Sequence, residues 1–279
     1  MLRSILLALD GIADGTAAID SAVALAVRHG AAIDLRLTLD RAAIAAPEAA
    51  GVGGVSRAAH REEAIASRLA ARLDEVAQVA TARLAGAGLR VQPVRLDGDV
   101  RAELPRLAVQ HDLMVLSNAL RRRAEDTDDL DVDFALPIEE LIRATARPIV
   151  LADARPVADG SVLVAYDGGR AAATTLHLAA LLGLLEGRKV EVLTVDGGDP
   201  DVGAQDVCAL LNRHGAMAEP RTVPEAGDTA DTICAEIEAR DPAMVVLGAF
   251  GDRMLKQWLF GSTTREVLSR AAPPIFLHA

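Results

Sequence analysis

Apolar residues along this chain fall into two alternating rhythms: short unbroken runs, and longer stretches with one apolar face. Ser4-Ile-Leu-Leu-Ala-Leu9 is the first run, closed by Asp10-Gly11. A run without polar alternation predicts a strand buried on both faces, as in a parallel sheet. Ile19, Ala22, Val23 and Ala26 then recur at helical spacing, and Gly30 follows His29 as a C-cap. Ala32–Leu39 predicts a second strand, making the opening a βαβ unit with a right-handed crossover. Arg41 to Ala59 is weakly patterned and predicts a connection with a short helical turn. From His60 a long helix carries Ile65, Leu69, Leu73, Val76, Ala80 and Leu84 in one stripe, and stops near Gly86-Ala-Gly88. Leu89–Leu96, Leu113–Leu116 and Pro148–Leu151 predict the third to fifth strands. Val100, Leu104, Leu107 and Ala108 mark a helix that Pro105 should break or kink. Ile138, Leu141, Ile142 and Thr145 mark another, with Pro137 and Glu139-Glu140 suited to its start.

After a linker from Arg155 to Gly160 the plan restarts. Ser161-Val-Leu-Val-Ala-Tyr-Asp-Gly168 mirrors Ser4-Ile-Leu-Leu-Ala-Leu-Asp-Gly11, with five identities in eight positions, the sign of an internal repeat. Leu178, Leu181, Leu182 and Leu185 mark a helix ending near Gly187, and Val190–Val195 a strand. Val207, Leu210, Leu211 and His214 mark a shorter helix, followed by a strand over Met217–Val223 that Pro220 weakens. Ala230, Ile233, Cys234 and Ile237, then Met244–Leu247, then Thr264, Val267, Leu268 and Ala271, then Pro274–Leu277 complete the second set. The predicted fold is α/β: two repeated doubly wound domains, over residues 1–155 and 160–279, each with five strands and helices on both faces. One continuous ten-stranded open sheet is the alternative. The linker between complete repeats, and the size of each half, favour two domains.

Composition agrees: 51% of residues are apolar and only 2% aromatic, so the core must be built from Ala, Val, Leu and Ile. A net charge of −11, from 40 acids against 29 bases, argues against a general nucleic-acid binder while leaving a local basic patch open. Cys208 and Cys234 are too few for a disulfide framework and are expected as buried thiols. No secretory pattern and no apolar run of membrane-spanning length is present, which predicts a cytoplasmic chain with no membrane partner. The stretch Arg121 to Asp133 puts three bases before six acids, without the glycine and closing glutamate of a calcium loop, and predicts a solvated loop.

The chemistry gathers in the second half. Asp167-Gly168 ends one strand and Thr194-Val195 another. The strand after Ala243 runs into Gly248-Ala-Phe-Gly251, and Gly261-Ser262 opens the last helix. In doubly wound sheets ligands lie beyond such strand ends, and helix N-termini receive anions. For a nucleotide, the N–H groups from Gly251 to Thr263 and the Ser262 hydroxyl would meet phosphates. Asp167 would contact ribose or help hold a hydrated magnesium ion, and the backbone at Thr194 and Val195 would line the adenine edge. Arg253 and Lys256 suit a solvated lid, with Trp258 as its packing anchor or a subunit contact. No P-loop, GxSxG elbow or zinc spacing occurs, and the six histidines are scattered. No catalytic set is predicted.

Gly248-x2-Gly251-x9-Gly261-Ser262, with Thr263, resembles the nucleotide motif of the universal stress protein family. The Val-Ala-Tyr-Asp-Gly start and Pro-Ile-Phe-Leu end of the second repeat are similar to that family as well. The similarity is expected end to end in the second repeat and more loosely in the first, as in a tandem member. The resemblance implies a five-stranded parallel sheet per domain ordered 3-2-1-4-5, and ATP binding in the members that bear the motif. It also implies pairing of domains through their last strands, here as an intrachain pseudo-dimer that two chains would extend to a homodimer. By the same resemblance Asp167 is the nucleotide-contacting aspartate, and Thr194-Val195 falls on the adenine side.

The first repeat departs from the motif. It keeps Asp10 but has Ser117-Asn-Ala-Leu120, the charged insertion and Ala135-Leu-Pro137 where the glycines would stand. It is expected to bind no nucleotide, or to bind weakly, and to serve as structural partner or interaction surface. Because the first repeat keeps strand and helix without the glycines, a ligand is the expected reason for Gly248, Gly251 and Gly261-Ser262. The leading expectation is an ATP-binding stress-response or signalling protein with one site, at most a slow hydrolase, acting on an unknown protein partner. A non-enzymatic scaffold using the acidic insertion is the alternative, and an ATP-dependent enzyme a third.

Overall fold

The protein is seen in a computed structural model that describes residues 1–12, 15–45, 55–117, 138–196, 203–248 and 262–278. The first repeat comprises β1 (Ser4–Leu9), α1 (Thr16–His29), β2 (Ala32–Asp40), α2 (Arg41–Ile44), α3 (Val55–Gly86), β3 (Val94–Gly98), α4 (Val100–Ala108), β4 (Leu113–Leu116), α5 (Ile138–Ala144) and β5 (Ile149–Leu151). The second comprises β6 (Val162–Ala165), α6 (Arg170–Leu181), β7 (Lys189–Asp196), α7 (Ala204–Arg213), β8 (Met217–Pro224), α8 (Thr229–Arg240), β9 (Met244–Gly248), α9 (Ser262–Arg270) and β10 (Ile275–His278).

The unbroken apolar runs are the inner strands. Every residue of β4, β5 and β6 is buried, as double-sided helical cover requires. Each repeat forms a parallel sheet in the order 3-2-1-4-5, and β5 and β10 pair antiparallel, joining the two into one ten-stranded sheet. The continuous sheet that ranked as the lesser alternative is therefore present, built from two doubly wound halves whose strand direction reverses once. With so few aromatics the core is aliphatic, and Phe276 is its largest fully buried side chain.

Several boundaries move for identifiable reasons. β3 starts at Val94, not Leu89, because Leu89 is spent on a helix cap: its N–H donates to Leu84 O at 2.9 Å while Gly88 takes φ 78°. Pro105 lies inside α4 without ending it, since it forfeits one bond near a start already capped by the Asp99 carboxylate on Ala102 N–H at 3.0 Å. Pro220 is accommodated because β8 is an outer strand of the sheet. α3 begins at Val55, ahead of His60. The insertion from Arg121 to Asp133 lies outside the described residues.

The linker is fastened to both halves. Val157 N–H donates to Ser21 Oγ at 2.9 Å, and that hydroxyl donates to Ala17 O at 2.6 Å. Arg188, only 6% exposed, donates from Nε to Gly160 O at 2.9 Å and from Nη2 to Ala158 O at 2.8 Å. Burial, with Arg28 beside it, lowers the Arg188 pKa to about 10, so it stays charged at neutral pH. Cys208 and Cys234 are buried free thiols; burial raises both, Cys234 to about 11, which leaves them unreactive.

Two outcomes are expected. Arg188→Ala strands two linker carbonyls and should cost about 3 kcal/mol in urea unfolding. His29, His111 and His278 all have pKa values lowered from 6.5, chiefly by burial, with Asp34 partly offsetting this at His111. The unfolded chain therefore takes up protons that the native state resists. Stability should be fully present above pH 6.5 and fall as pH drops through the lowered native values, read as a declining urea midpoint from pH 7.5 to 5.5.

Candidate functional site

Strand order in the second repeat reverses between β6 and β9, because the chain leaves β6 for β7 on one side and returns to β9 on the other. Ala165 is level with both Leu193 and Leu247, so β6, β7 and β9 finish side by side. Such a switch point leaves a crevice beyond the carboxyl ends. Asp167 and Gly168 are exposed there, and Asp167 Oδ1 accepts from Gly169 N–H at 2.8 Å, ordering the entry to α6. Thr194 is 3% exposed and its Oγ1 has no hydrogen-bond partner among the described residues, while Val195 is half-buried. Gly248 closes β9; Ser262 is exposed and Thr263 half-buried at the start of α9. Thr264 Oγ1 donates to Gly248 O at 3.3 Å, tying that helix start to the strand end. Asp167, Thr194, Val195, Gly248, Ser262 and Thr263 thus end three neighbouring strands or open the helix tied to them. Gly251 and Gly261 lie outside the described residues, as do Arg253, Lys256 and Trp258.

One expectation is corrected. A Cβ on Gly248 would stand 2.7 Å from Ala172 N and 2.9 Å from Ala172 Cα, so the scaffold itself requires glycine there. The connection from Asp167 to Gly169 is shorter than the one from Asp10 to Gly15, and it brings the first turn of α6 close over β9. The first repeat, with its longer connection, carries buried Ser117 at the matching place.

The first repeat closes the same crevice. Asp10 is 8% exposed, and its Oδ1 accepts from Ile12 N–H at 3.1 Å. Gly11, at φ 69°, lies under α3, where an added Cβ would meet Leu73 Cγ at 2.9 Å and Leu69 O at 3.3 Å. Thr38 Oγ1 donates to Leu9 O at 3.1 Å; Val195, its counterpart, has no hydroxyl to do this. Leu37 occupies the register position of Thr194. Arg101 adds a charged seal, with Nε 3.5 Å from Asp40 Oδ2 and Nη1 2.7 Å from Glu140 Oε2. Sequence reasoning missed this cover, although the stripe holding Leu69 and Leu73 was visible and had to be buried somewhere.

The universal stress protein family model matches residues 1–125 and 204–277, more than half of the chain. The chain belongs to the universal stress protein family. The match runs further in the first repeat than in the second, the reverse of the expected extent. It includes Gly248, Gly251 and Gly261 to Thr263, and leaves out Asp167, Thr194 and Val195. Among solved structures, a universal stress protein from Archaeoglobus fulgidus superposes with a TM-score of 0.63 at 16% identity, covering 99% of this chain and 96% of that one. A functionally unknown protein from Pseudomonas aeruginosa gives a TM-score of 0.52 at 15% identity, covering 99% and 92%. Identities this low establish the shared fold, across both repeats. No curated protein sequence matches the chain.

Within this universal stress protein, the described residues hold no cluster of three or more His, Cys, Asp or Glu able to bind a metal. Tyr166, beside the crevice, has its pKa raised by burial and then by Asp167 and Asp206, so its phenol stays neutral. The crevice supplies hydrogen-bonding groups and no nucleophile–base pair among the described residues. Gly248→Ala should destabilise the protein by about 1–3 kcal/mol in denaturant unfolding with no ligand present, as overpacking against backbone does.

Proposed function

We propose that this universal stress protein binds one adenine nucleotide, ATP, in the crevice of its second repeat, and acts through ligand-dependent contacts with a protein partner. The supporting observation is the contrast between the repeats: α3 packs over the strand ends of the first, whereas in the second Asp167 and Gly168 are exposed and the buried Thr194 hydroxyl has no hydrogen-bond partner among the described residues. Adenine lies against Thr194 and Val195, ribose near Asp167, and phosphates toward Gly248, Gly251, Gly261, Ser262 and Thr263. Magnesium fits only as a phosphate-held ion: Asp167 is one exposed carboxylate already engaged with Gly169 N–H, and the cation would keep most of its water. With no general base among the described residues, hydrolysis is slow or nil. No described helix is long and apolar enough to cross a membrane, which accords with a cytoplasmic role.

A scaffold that binds no nucleotide is the second reading. The packing need for Gly248 favours it, because part of the motif then has a structural reason. Mass spectrometry of small molecules released from the purified protein, followed by calorimetry on stripped protein, separates the two. ATP heat in the wild type, at least about tenfold weaker binding in Asp167→Ala, and loss in Gly261→Pro are expected. No heat in stripped, folded wild type selects the scaffold.

A further inference from the structure

The seam between the repeats has a local two-fold relation. In the antiparallel ladder Val150 faces Phe276, Ile149 faces Leu277 and Leu151 faces Ile275. The repeats align here with a shift of 126 positions, so Val150 faces its own counterpart and the flanking pairs exchange. The same shift relates Glu139 to Arg265, which also meet across the seam, Arg265 Nη2 lying 2.8 Å from Glu139 Oε2 and 2.6 Å from Oε1. Positions on such an axis would face themselves if two identical domains paired.

In this chain the flanking residues are the same in both repeats, Ile149 with Ile275 and Leu151 with Leu277, but the on-axis pairs differ in size and in charge. Phe276 and Val150 are both 0% exposed, a large side chain against a small one. Two second repeats joined this way would force two phenyl rings into that space, and two first repeats would leave a void. Arg265 against Arg265, or Glu139 against Glu139, would set like charges together where the side chains are 59% and 21% exposed. The His278 ring lies beside the backbone of Ala146 across the seam, and its counterpart Ala152 has no ring to fill the equivalent place.

We propose that the β5–β10 seam is keyed for unlike domains, Glu139 and Val150 on one side and Arg265 and Phe276 on the other. The second repeat then accepts a first repeat and rejects a second copy of itself. This inference is independent of nucleotide binding. Its rival is tethering alone: the linker holds the halves at high effective concentration, and the identity of the facing residues is immaterial.

The test is a pair of swap cycles in the full-length chain, read as the thermal unfolding midpoint. Glu139→Arg and Arg265→Glu should each lower the midpoint by a few degrees, and the double swap E139R/R265E should return it close to wild type. Val150→Phe and Phe276→Val should each lower it further, while V150F/F276V recovers more than half of the summed loss. Should either size variant fail to fold, the charge cycle alone decides. Single variants indistinguishable from wild type, or double swaps whose losses simply add, overturn the proposal.

Discussion

Backbone groups on the last strand of a doubly wound sheet have a neighbour on one side only, and that half-empty ladder governs how this chain is assembled. β5 and β10 are three and four residues long, yet all their residues except His278 are buried, because each completes the hydrogen bonding of the other. Without that antiparallel contact the apolar faces around Phe276, Val150 and Leu151 would be open to water. The second contact, through the linker, follows from the first: once the sheets are continuous, residues 155–160 must run back along the molecule. Their carbonyls then need the buried Arg188 guanidinium.

The two halves differ at the carboxyl end of the sheet. In the first repeat the long helix α3 lays Leu69 and Leu73 over Gly11 and makes that strand end part of the core. The second has a short helix, α7, and Asp167 and Gly168 at the surface. The fold needs the same five strands either way. What differs, among the described residues, is that α3 covers the carboxyl end in the first repeat while Asp167 and Gly168 are exposed in the second.

Much of this was legible in the order of residues. Two-sided strands announced themselves as unbroken apolar runs, and the Ser-to-Gly octet gave the repeat. The seam, the strand order and the family also followed from the resemblance. Local chemistry that competes with strand pairing was less legible: Leu89 has the pattern of a strand residue, yet its N–H is taken by the cap of α3. Beyond the strand order and the seam, which side chains meet at long range was not legible. The role of Gly248 depends on how near Ala172 comes, which is set by the four residues between β6 and α6 and by nothing in the motif. Glu139 was legible only as a charge suited to the start of α5, and its meeting with Arg265 across the seam was not.

The linked sheet still has two open borders, β3 and β8, and their residues are poor templates for further strands. β8 places Pro220 and Pro224 along its length, each lacking a donor. β3 has five residues, with Arg95 paired to Asp74 and Asp97 to Arg41 along its rim. Backbone prolines and closely held charges both discourage an incoming strand. Among the described residues, neither border of the ten-stranded sheet offers a clean template for another strand, so its long aliphatic framework is protected at both ends against edge-to-edge growth.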